Sequence, residues 1–354
     1  MRNTNDPTVE QAALTVLRGG QYLMGATLET FEARLAEYQN IPHVFGVANG
    51  TDALALSMLA LGIETDDRVI TVPNAGGYAS FAARMIGAIP VLVDVDPVTQ
   101  QMDPLSLQAA LKSTKPKAII LTHLYGLAAD TAEILKIAGD IPVIEDVAQA
   151  MGTRTGTTKA GSNGTIAAFS FYPTKNLGAC GDAGAVCTQD ATLANRIRAL
   201  RQYGWAEKYH ATFPYGRNSR MDNIQAAILT AKMSKLDVQN QERRGIWKRY
   251  KTATGNALQF IGRDDDGFTA HLCVVKADAR DAWEKMLAAK GIATTIHYPV
   301  MDHEQKALQG IIETPVPLPN ATHSKNMILT LPCFSGMTED EIAYVCQALK
   351  EGIA

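Results

Sequence analysis

Basic clusters, long apolar runs and a signal-like N-terminus are all missing from this sequence. Its 354 residues include 33 Lys or Arg and 36 Asp or Glu, for a formal net charge of −3. No basic block of the kind that nucleic-acid binding requires is present, which argues against nucleic acid as a partner. Runs such as Ala53–Leu61 fall far short of the ~20 apolar residues that cross a bilayer. We therefore expect a soluble, cytoplasmic protein with no membrane partner.

The cysteines are few and lack a recognisable pairing. There are five, an odd number, with no C-x-x-C pair and no histidine at metal-ligand spacing: Cys180, Cys187, Cys273, Cys333 and Cys346. Both a disulfide framework and a zinc site are therefore disfavoured. We expect reduced thiols, mostly buried, and no metal.

What the chain does contain is a regular alternation of strand and helix patterns. With 46% hydrophobic residues it can build a substantial core, and its length favours two domains. Seven apolar runs predict strands: Val44–Ala48, Val69–Val72, Ile89–Val93, Ala118–Thr122, Val143–Glu145, Ala167–Tyr172 and Gly184–Thr188. Such unbroken runs are typical of a mostly parallel sheet that is covered by helices on both faces.

The pattern changes after a long helix predicted from about Met221 to Lys251, with a break inside it. A shorter α+β pattern then continues to a final helix over Glu339–Glu351. We place the domain boundary near residue 235. This predicts a large domain over residues 1–235 and a small C-terminal domain over 236–354.

The most informative lysine is Lys175, in the segment Ser170-Phe-Tyr-Pro-Thr-Lys-Asn-Leu-Gly178. It follows a predicted strand and a proline, and it precedes glycines whose lack of side chains leaves it uncrowded. An amine held in such a pocket can bond covalently to a cofactor aldehyde. The alternative is an ordinary solvated surface lysine.

Asp146 comes directly after an apolar strand, in Glu145-Asp-Val-Ala-Gln-Ala150. Ligands of open α/β sheets bind at the carboxyl ends of strands. A carboxylate there can hold a pyridinium nitrogen in its protonated form. Gln149, three residues further on, is within reach of the same ring. The alternative for Asp146 is a helix N-cap.

A third element is Asn49-Gly50-Thr51-Asp52, which ends one strand and opens an Ala/Leu-rich helix. Free N–H groups at a helix start, with a glycine and a hydroxyl beside them, can cradle a phosphate. An N-cap by Thr51 is the alternative. The glycines at 178, 181 and 184 do not form a dinucleotide fingerprint, and no Walker A lysine is present.

Along the chain the phosphate cradle comes first, Asp146 second and Lys175 third, and in this order the three elements resemble the DegT/DnrJ/EryC1/StrS family of pyridoxal-phosphate (PLP)-dependent sugar aminotransferases. The resemblance extends over nearly the whole chain. Its motifs are Asn49-Gly-Thr-Asp-Ala-Leu54, Glu145-Asp-Val-Ala-Gln-Ala150, Ser170–Gly178, Gly181-Asp-Ala-Gly184, Asn218-Ser-Arg-Met-Asp222 and His297-Tyr-Pro299. It implies an α/β fold, the PLP-transferase fold type I, with a smaller C-terminal α+β domain.

The resemblance also implies roles for single residues. Lys175 would form the Schiff base with PLP, and Asp146 would pair with the pyridine nitrogen. Gln149 would contact the ring hydroxyl. The phosphate would be held by Gly50, Thr51 and Ser170.

Asn218 matches a family position that reaches the cofactor phosphate of the neighbouring subunit. The resemblance therefore implies a homodimer with shared active sites. The alternative is that Asn218 is simply a turn residue within Gly216-Arg-Asn-Ser.

One segment departs from the family pattern. Members usually place an aromatic residue against the cofactor ring after a strand-end proline, and here that stretch reads Pro73-Asn-Ala-Gly-Gly-Tyr78. We expect Tyr78 to be the stacking residue. The alternative is that Gly77 occupies the aligned position and no ring stacks. Either way we expect a remodelled substrate pocket.

Five further residues are candidates for contacts with the substrate: Tyr172, Arg217, Arg220, His123 and His297. The arginines could bind a nucleotide diphosphate, although Arg220 could equally serve a structural ion pair. Each histidine could instead be a structural or surface residue.

The function implied by this resemblance is amino transfer in two half-reactions. Glutamate or glutamine would convert PLP to pyridoxamine 5'-phosphate (PMP), which would then aminate a nucleotide-linked ketosugar. A cyclitol aminotransferase acting on a keto-inositol is the nearest alternative. A dehydratase is disfavoured because the family's dehydratases replace the Schiff-base lysine by histidine. A PLP-binding sensor is disfavoured because no DNA-binding extension is present.

Overall fold

A computed structural model describes residues 6–352 of the chain. The strands are β1 (His43–Val47), β2 (Arg68–Thr71), β3 (Ile89–Leu92), β4 (Ala118–Thr122), β5 (Val143–Asp146), β6 (Arg154–Thr155), β7 (Thr158–Lys159), β8 (Ile166–Ser170), β9 (Gly184–Thr188), β10 (Trp205–Glu207), β11 (His210–Ala211), β12 (Gln259–Phe260), β13 (Cys273–Lys276) and β14 (Ile328–Leu331). The helices are α1 (Pro7–Gly19), α2 (Ala26–Gln39), α3 (Gly50–Ala60), α4 (Tyr78–Met85), α5 (Pro104–Ala110), α6 (Thr131–Ala138), α7 (Ala191–Leu200), α8 (Asn223–Met233), α9 (Leu236–Thr254), α10 (Arg280–Ala289), α11 (Pro319–Ser324) and α12 (Glu339–Glu351).

The seven strands expected from apolar runs form one sheet in the order β1-β9-β8-β5-β4-β2-β3. Only β9 runs antiparallel to its neighbours, so the predicted mostly parallel sheet is confirmed. Strand β4 shows why the runs are unbroken, since all five of its residues are buried. Ile119 packs in a core cluster with Trp247 of α9, whereas Ile120 packs in another with Leu56 of α3. Alternate residues thus serve two covered faces, as the period of two requires.

A second sheet of three antiparallel strands, β12-β13-β14, lies in the C-terminal part of the chain. The long predicted helix is two helices, because α8 ends at Met233 and α9 begins at Leu236. The break coincides with the boundary that we predict near residue 235. The division into two domains stays a prediction, since residues of both sheets share one apolar cluster.

The carboxyl ends of β4, β5 and β8 meet at one edge of the main sheet, as parallel strands require. Thr122 pairs with Asp146, and Asp146 pairs with Ala168. This edge brings together side chains that are more than twenty residues apart in sequence. Within residues 6–352, no helix has the combination of length and hydropathy that a membrane span needs.

The five cysteines are free thiols. Cys187 and Cys273 are buried, Cys333 and Cys346 are partly buried, and Cys180 is exposed. Burial, which we expect for most of the five, is thus complete for two, partial for two and absent for Cys180.

Candidate active site

A cavity of about 930 Å³ opens at this edge of the main sheet. That volume suits a cofactor together with part of a substrate. Nine of the thirteen residues predicted from the sequence line it: Gly50, Thr51, Tyr78, Asp146, Gln149, Ser170, Tyr172, Lys175 and His297. Four do not line it: His123, Arg217, Asn218 and Arg220.

The amine of Lys175 is enclosed in this cavity rather than solvated. Burial lowers the pKa of Lys175 to about 8, and the charge of Asp146 opposes that change. A substantial fraction of the amine is therefore neutral near physiological pH. This is the state that a nucleophilic amine needs, and the position of Lys175 in the cavity lining favours it over a solvated surface lysine.

Asp146 faces the same cavity and is held by two hydrogen bonds. Its carboxylate accepts from the Thr122 hydroxyl at 3.2 Å and from the Ala148 N–H at 3.1 Å. Burial raises the pKa of Asp146, whereas these donors and the charge of Lys175 oppose the rise. No helix starts at Asp146, so the N-cap alternative is wrong. Thr122, which the sequence analysis did not single out, orients this carboxylate.

The start of α3 forms an anion cradle. Asn49, not Thr51, caps the helix by accepting from the Asp52 N–H at 2.8 Å. The Thr51 hydroxyl and the first N–H groups of α3 are therefore left for a ligand. A Cβ placed on Gly50 would lie 2.6 Å from Cβ of Ser170. Only glycine lets the backbone come this close to the Ser170 side chain, as a phosphate site requires.

Gln149 is fixed at both ends of its amide. Its Oε1 accepts from the Tyr125 N–H at 2.8 Å, and its Nε2 donates to the Tyr298 hydroxyl at 3.1 Å. A second N–H on Nε2 remains for a ligand. Tyr298 follows His297 in the motif quoted above, yet only the structure shows that its hydroxyl fixes Gln149.

Tyr78 is half exposed and begins α4 after two glycines with positive φ, Gly76 and Gly77. Its ring packs edge-to-face on Tyr298 with centroids 6.1 Å apart. A Cβ on Gly77 would point at the Phe81 ring, and Gly77 does not line the cavity. The geometry therefore favours Tyr78 over Gly77 as the residue that faces a cofactor ring.

His297 lines the cavity with its Nδ1 2.9 Å from the Thr330 hydroxyl. Burial and the nearby charge of Lys175 lower the pKa of His297. Its ring is therefore mainly neutral at pH 7 and can donate a hydrogen bond to a ligand or accept one from it.

His123 lies in the core and does not line the cavity. It is fully buried, its Nε2 lies 2.9 Å from the Glu145 carboxylate, and its Nδ1 accepts from the Ala129 N–H. Glu145 also accepts from the N–H groups of residues 161, 163 and 164. Burial alone would raise the pKa of Glu145, but the imidazole and these N–H groups hold it below its ordinary value. Both ring nitrogens of His123 thus have partners in the core and are not available to a ligand.

The remaining three predicted residues lie in one segment outside the cavity of their own chain. Arg217 forms an ion pair with Asp52 at 3.4 Å. Asn218 is exposed. The Nε of Arg220 is buried and has no hydrogen-bond partner among residues 6–352. The structure therefore does not bring these side chains to Lys175 within one chain.

Two cavity residues had no signal in the sequence. His271 is buried, and its Nδ1 lies 2.8 Å from Oδ1 of Asn176. The Asn176 amide nitrogen donates to Asn240, which leaves Oδ1 as the acceptor for His271. The His271 ring therefore carries its hydrogen on Nδ1. Arg243 also lines the cavity, with its Nη1 donating to the Cys333 carbonyl at 2.9 Å.

Comparisons with known proteins agree with this geometry. Residues 3–350 match the model of the DegT/DnrJ/EryC1/StrS aminotransferase family. A dTDP-3-amino-3,6-dideoxy-alpha-D-galactopyranose transaminase of Aneurinibacillus thermoaerophilus is 40% identical, with 96% of this chain and 94% of the relative covered. A 3-oxo-glucose-6-phosphate:glutamate aminotransferase of Bacillus subtilis is 32% identical over 94% of this chain and 77% of the relative.

Solved structures give the same result. A DegT/DnrJ/EryC1/StrS aminotransferase from Brucella abortus has a TM-score of 0.94 at 32% identity, covering 98% of this chain and 96% of that one. NtdA of Bacillus subtilis, solved with the cofactor PMP, has a TM-score of 0.91 at 30% identity, covering 99% and 82%. The expected fold is thereby confirmed.

Proposed function

The chain belongs to the DegT/DnrJ/EryC1/StrS aminotransferase family, and from that membership we propose that it aminates the C3 keto group of a nucleotide-linked sugar. It is a PLP-dependent sugar aminotransferase. The choice of C3 is supported by the names of the two relatives, which are a 3-amino sugar transaminase and a 3-oxo sugar aminotransferase. The first of these acts on a dTDP-linked sugar, which supports a nucleotide-linked substrate.

One observation carries the proposal: the enclosed amine of Lys175 shares a cavity with Asp146 and with the anion cradle of α3. This donor set suits PLP, which has an aldehyde, a ring nitrogen and a phosphate. When bound, PLP supplies an electron-withdrawing ring that stabilises negative charge on the amine-bearing carbon. The cradle would hold the phosphate through Gly50, Thr51 and Ser170.

The side chains then have separable tasks. Lys175 would bond to the aldehyde through Nζ and, when displaced by a substrate amine, would move a proton as general base and acid. Asp146 would hold the proton of the ring nitrogen, which in turn gives this buried carboxylate a cationic partner. Gln149 would donate its free N–H to the ring hydroxyl. Tyr172 and His297 would contact the sugar.

We propose glutamate as the amino donor, with glutamine as the alternative. The printed name of the Bacillus subtilis relative includes glutamate. A cytoplasmic location, where such donors are abundant, stays part of the proposal.

The test mixes the PLP-loaded protein with glutamate or glutamine and follows the cofactor absorbance. Loss of the long-wavelength band with formation of the 2-oxo acid supports the first half-reaction. The second is run in reverse with stable dTDP- and UDP-linked 3-amino sugars and 2-oxoglutarate, and products are identified by mass spectrometry. An aminocyclitol that reacts while every sugar nucleotide fails would contradict the proposed substrate, and no band change with any amino acid would contradict amino transfer.

We also propose a homodimer in which the segment containing Arg217, Asn218 and Arg220 completes the partner's site. Asn218 is exposed and does not line the cavity of its own chain. The cavity is bordered by Tyr78 and Met85, which are both about half exposed, so a second chain could close it. Dimer formation would also supply a hydrogen-bond acceptor for the buried Nε of Arg220, which has no partner among residues 6–352.

Subunit complementation tests the shared site. We expect Asn218→Ala and Lys175→Ala chains each to have low activity alone, since each lesion damages both sites of its own homodimer. In a mixed dimer, one site carries both lesions and the other carries neither. Activity should therefore return on mixing to as much as about half of the parent's per mixed dimer. Labelled chains that exchange without any recovery would argue against the arrangement.

Replacing Tyr78 by alanine should weaken PLP retention by up to about tenfold. Ring stacking contributes on the order of 0.5–1.5 kcal/mol beyond burial, and ~1.4 kcal/mol corresponds to tenfold. Tyr78→Phe keeps the ring and should change retention little. Dialysis followed by cofactor absorbance measures the effect. An alanine variant that keeps PLP as tightly as the parent would show that Tyr78 has another role.

The pH dependence of cofactor capture should report the Lys175 amine. Below the pKa of about 8 the amine is protonated and cannot bond to the aldehyde. The capture rate by cofactor-free protein should therefore rise about tenfold per pH unit up to pH 8 and level off above it. Stopped-flow absorbance between pH 6 and 10 measures it. A rate that still climbs toward pH 10 would place the amine near its ordinary pKa of 10.5 and refute an enclosed lysine.

A further inference from the structure

Arg243 is a cation in the cavity that makes no salt bridge with the described residues. It lies on α9, and within residues 6–352 it forms no ion pair with any Asp or Glu side chain. Its Nη1 donates to the backbone carbonyls of Cys333 at 2.9 Å and His271 at 3.4 Å. Nε and Nη2 have no hydrogen-bond partner in the described part of the chain. Burial lowers the pKa of Arg243, but a guanidinium stays charged.

The two carbonyl contacts aim the side chain into the cavity. Cys333 follows β14 and His271 precedes β13, and both residues line the cavity beside Arg243. The guanidinium is thus anchored at one nitrogen while its remaining N–H groups stay available. A planar guanidinium with free N–H groups matches the two oxygens of a carboxylate.

A charge enclosed without a partner costs free energy, which a ligand of opposite charge can offset. Among the described residues that line the cavity, only Lys175 and Arg243 are Lys or Arg. Lys175 is committed to the amine chemistry proposed above, and the phosphate already has the cradle of α3. Within one chain, a second anionic group in this cavity therefore has Arg243 as its available cation.

We propose that Arg243 is the subsite for the α-carboxylate of the amino donor. In an α-amino acid the carboxylate is attached to the same carbon as the amine. When that amine reaches the position of Lys175, the carboxylate must lie within a few ångströms of it. Arg243 donates to the His271 carbonyl, and Lys175, Arg243 and His271 line the same cavity; the charges of both cations lower the pKa of His271. Neutral His271 adds no charge of its own to this part of the cavity. The inference rests on the proposed function, because it assumes an amino-acid donor.

The experiment measures the half-reaction of PLP-loaded protein with glutamate and with 4-aminobutyrate, which is glutamate without its α-carboxylate. Arg243→Gln retains an N–H for the Cys333 carbonyl but removes the charge. We expect its apparent Kd for glutamate to rise at least about tenfold, with a change below threefold for 4-aminobutyrate. The preference of the parent for glutamate over 4-aminobutyrate should therefore be largely lost in Arg243→Gln. Arg249→Gln is the matched control, because Arg249 lies on the same helix and pairs at the surface with Glu339.

A second readout does not depend on turnover. Glutarate, an unreactive dicarboxylate, should raise the Tm of the PMP-loaded parent and of Arg249→Gln, but not that of Arg243→Gln. If Arg243→Gln does not fold, Arg243→Lys takes its place. Lysine keeps the positive charge but lacks the two parallel N–H groups of a guanidinium. A several-fold loss of affinity for glutamate, with unchanged affinity for 4-aminobutyrate, would therefore support the subsite.

Three outcomes would overturn the assignment. One is an unchanged affinity for glutamate in Arg243→Gln. Another is an equal loss for both amines. The third is weakened binding of UDP or dTDP with normal glutamate affinity, which would assign Arg243 to the nucleotide diphosphate. A parent that reacts with no amino acid at all contradicts the proposed function instead.

Discussion

Replacing Lys175 by alanine should lower turnover by at least about 10³-fold. The substitution removes both the amine that bonds to the cofactor aldehyde and the base that moves the proton, and proton transfer alone contributes roughly 10²–10⁴-fold. PLP should still bind through the α3 cradle, because Thr51 and Ser170 are unchanged. Steady-state turnover and cofactor absorbance measure the two effects separately.

The covalent link gives a sharper test of the same residue. Borohydride reduction of the PLP-loaded parent should leave the reduced cofactor on Lys175, and Lys175→Ala should carry none. Lys159→Ala is the control, because burial also lowers the pKa of Lys159 although it lies outside the cavity lining. Mass spectrometry that finds the adduct on another lysine of the parent would show that the assignment is wrong.

Replacing Asp146 by asparagine should lower turnover by about 10²-fold. The amide is nearly isosteric but carries no charge, so it cannot hold the proton on the ring nitrogen. A charge-assisted hydrogen bond of roughly 1.5–3 kcal/mol would be lost, which corresponds to about 10- to 150-fold. Stopped-flow measurement of the glutamate half-reaction should show the loss in its limiting rate.

Two further variants serve as comparisons for Asp146→Asn. Thr122→Val removes the hydroxyl that donates to Asp146 and should cost only several-fold, because the Ala148 N–H remains. Asp140→Asn changes an exposed aspartate before the start of β5 and should have no effect. An Asp146→Asn protein with parental rates would mean that the carboxylate does not serve the cofactor ring.

The strands of the main sheet could be predicted because each one is recognisable from its own short run of apolar residues. The run Ala118–Thr122 is β4 residue for residue, since a strand covered on both faces must be apolar throughout. Asp146 and Lys175 could be predicted to line a ligand cavity for a related reason, because strand ends and glycine-rich turns mark where a sheet binds ligands. His123 also follows a strand, but a strand end does not reveal which way a side chain turns, and this ring turns toward Glu145.

Arg243 and His271 could not be found by that reasoning. Arg243 lies on a helix with many other charged residues, and His271 lies in a loop without a motif. Their place in the cavity depends on how the C-terminal segments pack against the main sheet. That packing brings residues near 243, 271 and 333 to Lys175, and no spacing in the sequence records it.

Strand β5 ends in two adjacent acids, and the difference between them fixes its register. The Glu145 carboxylate accepts hydrogen bonds from His123 and from three backbone N–H groups. Sliding β5 by one residue would turn Glu145 toward the cavity and Asp146 toward those donors, from which its shorter side chain would fall short. The hydrogen bonds of Glu145 in the core therefore hold β5 in its register. Because neighbouring residues of a strand point to opposite faces, they also keep Asp146 directed toward the cavity.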